Sequence, residues 1–183
     1  AKLRNARLSF YIGEFGWART QLDILKAATS KLIANDAMEL SLLISDNIGE
    51  DSITLPLSMF ANADLLIYRN RFADALSVLD SLAIAYPGHP IQDDVLFKKA
   101  EIFEKEGRFE EAANFYSSVI KDYPFDLLGD DATFRLASLF EKRLNEKEKA
   151  QQFFQDLMIN YPGSLYVVEA RKRFRNLRND PVN

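Results

Sequence analysis

The sequence predicts an all-α fold of about ten helices, built as antiparallel helix pairs repeated along the chain. Three observations lead there. Tyr-Pro recurs at Tyr86-Pro87, Tyr123-Pro124 and Tyr161-Pro162, at spacings of 37 and 38 residues. Two alanine columns keep the same period, Ala63, Ala100 and Ala137 in one, and Ala75, Ala112 and Ala150 in the other. Between these marks the apolar residues fall at helical spacing: Phe72, Ala75, Leu79, Leu82 and Tyr86 step by 3, 4, 3 and 4 along one helix face.

The first copy, residues 6–30, is degenerate. It keeps Ala6, Leu8, Gly13, Phe15, Ala18, Leu22 and Leu25, but Thr29-Ser30 stand where Tyr-Pro would be. Residues 31–53 leave the period. Asn35-Asp36 offers a helix N-cap, and the apolar run from Ala37 to Ile48 predicts a buried extra helix wedged between the first and second pairs, with Gly49-Glu50-Asp51-Ser52 as the loop beyond. Three full copies follow at 56–88, 91–125 and 128–163. In each, a first helix carrying Met59-Ala63-Leu66, Leu96-Ala100-Phe103 or Thr133-Ala137-Phe140 runs to Asn70, Gly107 or Asn145, residue types that tolerate the left-handed backbone ending a helix. The second helix begins at Phe72, Phe109 or Lys147, and the residue before each proline is driven out of helical geometry. One extra residue near Arg143-Leu144-Asn145 lengthens the last copy. Paired alanines let the two helices cross closely, because the side chains at a crossing set the interaxial distance. A lone pair cannot bury both faces, so successive pairs must stack. Residues 165–178 form a closing helix, with Val167, Ala170, Phe174 and Leu177 on one face and Arg171, Lys172, Arg173, Arg175 and Arg178 on the other.

Composition removes several function classes. With no Cys among 183 residues there is no disulfide, thiol nucleophile or thiolate metal site, and one His rules out a multi-histidine centre. A net charge of −4 argues against nucleic acid as partner, since phosphate neutralisation needs concentrated Lys and Arg. No apolar run reaches the ~18–20 residues of a membrane span. Nothing resembles a phosphate-cradling loop, a nucleophile elbow or a His-Glu-x-x-His helix. No catalytic, cofactor-binding or metal-binding residue is therefore assigned, and the chain reads as a non-enzyme.

The recurring pattern, small-x-x-(Leu/Phe), then Gly-x-Phe-x-x-Ala-x-x-x-(Leu/Tyr/Phe)-x-x-(Leu/Val) and a closing Pro, resembles the tetratricopeptide repeat. That resemblance implies a right-handed superhelical solenoid over the whole of 1–183 and a protein or peptide partner. The period is three or four residues longer than the usual one of about 34, and Met59, Leu96 and Thr133 replace the usual tryptophan. The Tyr-Pro-Gly endings followed by Glu-Ala-Arg-Lys-Arg are similar to repeats of bacterial envelope proteins, which implies a periplasmic or outer-membrane-associated setting rather than a cytoplasmic one. Because the chain begins at Ala1, five residues before the first alanine column, we expect a C-terminal piece of a longer bacterial protein.

Candidate binding residues follow from the repeat. Phe60, Phe97 and Phe134 stand three residues before the alanines, in first helices that the resemblance places along a concave surface. The same helices carry Asp64, Ile67, Glu101, Glu104 and Glu141. An aromatic row with acidic neighbours suits capture of a peptide; the alternative is that the row packs between repeats. The carboxylate clamp of chaperone-binding relatives needs Lys and Asn where these residues stand, so that specificity is not expected. Asp93-Asp94 and Asp130-Asp131 look like metal ligands but fall at helix starts, where carboxylates satisfy free N–H groups. His89, between Gly88 and Pro90, reads as an exposed loop residue. The leading function is a protein-interaction scaffold. The alternative is a self-association module that assembles a homo-oligomer.

Overall fold

The computed structural model describes residues 2–27, 31–48 and 54–178. Among them are ten α-helices and no strand: α1 (Lys2–Tyr11), α2 (Phe15–Lys26), α3 (Lys31–Asp46), α4 (Leu55–Tyr68), α5 (Phe72–Ala85), α6 (Gln92–Lys105), α7 (Phe109–Asp122), α8 (Gly129–Lys142), α9 (Lys147–Asn160) and α10 (Val167–Leu177). The chain forms two compact units, residues 1–95 and 96–183, with the boundary inside α6.

The turn chemistry is as the sequence predicts. Gly13, Asn70, Gly107 and Asn145 have φ of 82°, 58°, 76° and 55°, the left-handed region open to Gly and tolerated by Asn. After each of the first three, the next backbone N–H reaches back five residues: Glu14 to the Ser9 carbonyl, Arg71 to Leu66 and Arg108 to Phe103, each at 2.9 Å. These bonds close the helix in a Schellman arrangement. The extra residue in the last copy changes that cap, and the Glu146 N–H donates to the Phe140 carbonyl at 2.8 Å. At the other end of each pair Tyr86, Tyr123 and Tyr161 share one non-helical conformation, with φ of −133°, −133° and −126° and ψ of 60°, 50° and 58°. Proline forces that exit.

In the unit of residues 1–95, α1 packs on α2, α2 on α3, α4 on α5 and α1 on α4. Ala6, Ala18, Ala63 and Ala75 are all fully buried, as the close crossings require. The Phe10 and Phe15 rings meet 5.7 Å apart across the first turn. In the unit of residues 96–183, α7 packs on α8, α8 on α9 and α9 on α10. Within each pair an aromatic from the first helix stacks on one from the second: Phe103 on Phe115 at 5.3 Å, and Phe140 on Phe153 at 5.6 Å. Ala100, Ala112, Ala137 and Ala150 are again fully buried.

Two expectations for the off-period segment change. Helix α3 starts at Lys31, so Asn35 and Asp36 lie inside it rather than capping it. It is not buried all round either. Ala37, Ser41 and Ile44 form its buried face, while Met38 is 50% exposed and Leu42 37%. The helix lies on α2 and leaves α1 in contact with α4, where the Tyr11 hydroxyl donates to Asp64 Oδ2 at 3.0 Å. The Gly49-Glu50-Asp51-Ser52 loop and Thr29-Ser30 lie outside the described residues.

The Tyr-Pro column does more than end helices. The Tyr161 hydroxyl donates to the Pro124 carbonyl, 37 residues back, at 2.9 Å. A Cβ at Gly129 would come within 2.7 Å of that hydroxyl and 3.1 Å of that carbonyl, so only glycine leaves room for the contact. Gly129→Ala is therefore expected to destabilise the chain by about 1–3 kcal/mol through overpacking, and Tyr161→Phe by about 1 kcal/mol through the lost hydrogen bond. Because both act on one contact, the double variant should lose less than the sum of the singles. Chemical denaturation of the four proteins checks this; strict additivity would contradict it.

Candidate functional site

The first helices of the pairs, α4, α6 and α8, carry the residues singled out in the sequence. Phe60 and Ile67 are buried in α4, and half-buried Asp64 accepts the Tyr11 hydroxyl. Phe97 is buried in α6, edge-on to Tyr116 of α7 at 5.2 Å. Phe134 of α8 is half-buried, stacked on Tyr166 with centroids 4.4 Å apart and edge-on to Phe154 at 6.0 Å. Phe97 and Phe134 are thus packed against neighbouring rings and Phe60 is buried, while the acidic side chains beside them are half-exposed.

Those polar side chains are joined from one helix to the next. Arg135 of α8 reaches Glu101 and Glu104 of α6, each at 3.7 Å. One repeat further on, Arg173 of α10 donates through Nε to Glu141 Oε2 at 2.7 Å and through Nη1 to Ser138 Oγ at 2.7 Å. Ser138 and Glu141 occupy in α8 the places of Glu101 and Glu104 in α6, so the same rung occurs twice. Glu104 also accepts the Tyr116 hydroxyl at 3.1 Å, and Lys98 pairs with Glu101 at 2.7 Å. Arg173, expected on the solvent face of the tail, is only 7% exposed. Its guanidinium lies over Phe154 at 4.6 Å and Phe134 at 5.4 Å. The physical reason is satisfaction: a planar cation can be buried where a carboxylate, a hydroxyl and aromatic faces meet it together. A sequence signal exists, because Arg173 repeats Arg135 at the 38-residue spacing of the last copy.

The two Asp pairs divide their work. The first of each accepts a first-turn N–H: Asp94 N–H to Asp93 Oδ1 at 2.8 Å, and Asp131 N–H to Asp130 Oδ1 at 2.9 Å. These acceptors sit within the helix rather than at its cap. The second of each reaches a residue flanking another helix, just after α3 or just before α10. Asp94 accepts from Asn47 Nδ2 at 3.0 Å, and Asp131 from the Tyr166 hydroxyl at 2.5 Å. No group of His, Asp or Glu able to hold a metal occurs among the described residues. His89 is half-buried rather than exposed: its Nδ1 accepts the Ile91 N–H at 3.1 Å, and its ring stands edge-on to Tyr86. That makes it a turn-forming residue.

Around the Arg135 rung lies an open cleft of ≈ 420 Å³. It is lined by Glu101, Glu104 and Lys105 of α6, Gly107, Phe109 of α7, Arg135 of α8 and Arg143. Arg143 lies over the Phe109 ring at 5.2 Å. Both charge signs face the cleft, which fits hydrogen-bonding to a peptide. Of the sequence-predicted residues the cleft brings together Glu101 and Glu104. Glu141 is engaged by α10, and Asp64 belongs to the other unit. Arg135, Arg143 and Phe109 escape a sequence reading of the site. An Arg on a helix, or a Phe at a helix start, looks the same in sequence whether or not it lines a cleft.

Burial pushes the Glu101 carboxyl up, but its ion pairs with Lys98 and Arg135 outweigh that and hold it below the ordinary carboxylate range. Burial raises Asp131, and the Tyr166 hydrogen bond only partly offsets it. Desolvation also raises Tyr116 and Tyr166, so both phenols stay protonated donors. The two carboxyls act oppositely on stability. The Glu101 contribution is present above its unfolded value, about 4.3, and is lost as pH falls through the lower folded value. Asp131 is stabilised by protonation instead. Glu101→Gln should accordingly melt below wild type at pH 7, with the gap closing below about pH 4, whereas Asp131→Asn should melt at or above wild type at pH 7. Calorimetric melts across pH test both signs. Arg173→Ala, which strands Glu141, should cost about 3 kcal/mol.

Among the described residues no helix is long and apolar enough to cross a membrane. Tetratricopeptide-repeat family models match residues 60–126 and 131–164, together more than half of the chain. No curated protein matches it in sequence. Among solved structures it is similar to the nearly identical TPR-like repeats of a protein assigned as a kinesin light chain in Podosopora anserina. The TM-score is 0.58 at 10% identity, over 98% of this chain and 84% of that one. A single-substitution variant of those repeats gives a TM-score of 0.54 at 11% identity, over 98% of this chain and 92% of that one. That likeness is one of fold. With paired helices, left-handed Gly or Asn turns, buried alanine crossings and two family-model matches, the chain belongs to the tetratricopeptide-repeat proteins.

Proposed function

We propose that the chain is a non-catalytic scaffold that binds a protein or peptide through the first-helix surface of its repeats. Tetratricopeptide repeats in general mediate protein–protein interaction and are not themselves enzymes. The observation that carries the reading here is the cleft around Arg135, where Glu101 and Glu104 meet Arg135 and Arg143 beside Phe109. Fixed charges of both signs next to an aromatic face give a peptide orientation as well as affinity. In this reading Glu101 and Glu104 supply the acidic character of the surface, while Glu141 is taken up by Arg173 and Phe60, Asp64 and Ile67 belong to the other unit. The Tyr-Pro-Gly resemblance supports a bacterial envelope protein as the parent.

The test is selection of peptides from a random library against the wild-type chain, followed by titration against Arg143→Glu and Lys105→Glu. Both substitutions change the cleft rim and lie outside the Arg135 rung. The expected result is a consensus peptide whose affinity drops at least tenfold in each variant, at unchanged circular dichroism melting. Selected peptides that bind both variants as tightly as wild type would overturn the assignment of the cleft.

A further inference from the structure

The loops that follow each Tyr-Pro share one double turn, and one of them carries side chains that folding does not require. In the first turn the second residue after proline donates its N–H to the tyrosine carbonyl: His89 to Tyr86, Asp126 to Tyr123 and Ser164 to Tyr161, at 3.1, 3.2 and 3.0 Å. In the second, Gln92 donates to His89, Gly129 to Asp126 and Val167 to Ser164, at 3.2, 3.1 and 3.3 Å. The place directly after proline holds Gly88, Phe125 or Gly163, none of them with a positive φ, and a Cβ on either glycine would meet open space. Any residue suits such a turn. Phe125 nevertheless stands there, 98% exposed, so its ring adds almost nothing to the core. Leu127 and Leu165 occupy matching places in the second turns of their loops, and both are exposed. The two loops lie side by side, because the Tyr161 hydroxyl reaches the Pro124 carbonyl at 2.9 Å and the Tyr166 hydroxyl reaches Asp131. Phe125, Leu127 and Leu165 therefore share one edge of the unit of residues 96–183, with exposed Val168 in the first turn of α10 beside them.

The same edge is acidic. Over residues 121–131 and 159–170 the carboxylates of Asp122, Asp126, Asp130, Asp131 and Glu169 stand against a single cation, Lys121. Asp130 and Asp131 are engaged within the fold, but Asp122, Asp126 and Glu169 are exposed and make no ion pair among the described residues. We propose that this edge docks a basic amphipathic segment of a protein partner, with apolar side chains on Phe125, Leu127 and Leu165 and Lys or Arg against Asp122, Asp126 and Glu169. Apolar surface gains free energy when it is covered, and a contiguous patch of it marks an interaction site. Charge decides what covers it. The carboxylates repel both an anionic lipid surface and the same edge of a second copy, whereas they attract and orient a cationic segment. Phe125 also follows Pro124, whose fixed φ stiffens the turn, so little freedom is lost when the ring is engaged. The edge shares no residue with the cleft around Arg135.

The test selects peptides from a random library on the full wild-type chain after depletion on F125S/L127S/L165S. The survivors should be amphipathic and rich in Lys and Arg. Labelled and titrated by fluorescence anisotropy, they should lose about tenfold or more in affinity for F125S. For D122N/D126N/E169Q the loss should be smaller and should shrink as salt is raised. F125L, which keeps an apolar side chain, should retain most of the binding and so separates a lost contact from a folding defect. Arg143→Glu should leave these peptides unaffected, which separates the edge from the cleft. No peptide surviving depletion, survivors without an excess of basic residues, or unchanged affinity in F125S would overturn the proposal. So would binding to phosphatidylcholine vesicles that F125S abolishes, which would assign the edge to lipid. A concentration-dependent dimer abolished by F125S in sedimentation would assign it to a second copy and overturn the proposal equally.

Discussion

The close crossing of two helices at paired alanines is the constraint on which the structure depends. Ala6 with Ala18, Ala63 with Ala75, Ala100 with Ala112 and Ala137 with Ala150 are all without exposed surface. Nothing larger fits there, because helices separate by the size of the side chains between them. Once that distance is set, the chain has few choices left. Turns of three or four residues must reverse direction, and a left-handed Gly or Asn does so while its successor's N–H closes the helix. Aromatics from the two helices then meet at stacking distance, as Phe103 does with Phe115 and Phe140 with Phe153.

Successive pairs are held by a different chemistry. Between α6 and α8, and again between α8 and α10, the link is a cation on the later helix and carboxylates on the earlier one. Arg173 is the buried form of this rung and Arg135 the half-exposed form. The difference follows from surroundings, since the arginine of α10 lies over Phe134 and Phe154. A pair buried in this way gives register more than raw stability, because desolvation cancels much of the attraction. The exposed version keeps its charges available, and there the cleft opens. One repeating contact therefore serves as structure between α8 and α10 and as a candidate recognition surface between α6 and α8.

What is legible in the sequence is local or repeated. Asn70, Gly107 and Asn145 mark turns by their own backbone preferences, the residues before proline mark helix ends, and the alanine columns mark crossings. Helix α3 has no second copy to align with, and its start is misread because Asn35 and Asp36 look like a cap although the helix already runs through them. The fate of a charge is the hardest reading. Arg173 looks like a solvated cap residue until its partners are known, and Glu141 looks like a groove residue until Arg173 occupies it. Only three-dimensional neighbours decide such cases, although the column joining Arg135 to Arg173 is present in the sequence throughout.

The measurement that bears most directly on this account is amide hydrogen exchange on Ala137→Leu beside wild type. If the crossing sets the geometry, the added side chain forces α8 and α9 apart. Protection should then fall together in those two helices, with overall stability lower by about 1–3 kcal/mol. A variant that keeps wild-type protection across α8 and α9 and melts unchanged would contradict it, and the alanine columns would then be incidental to how the pairs close.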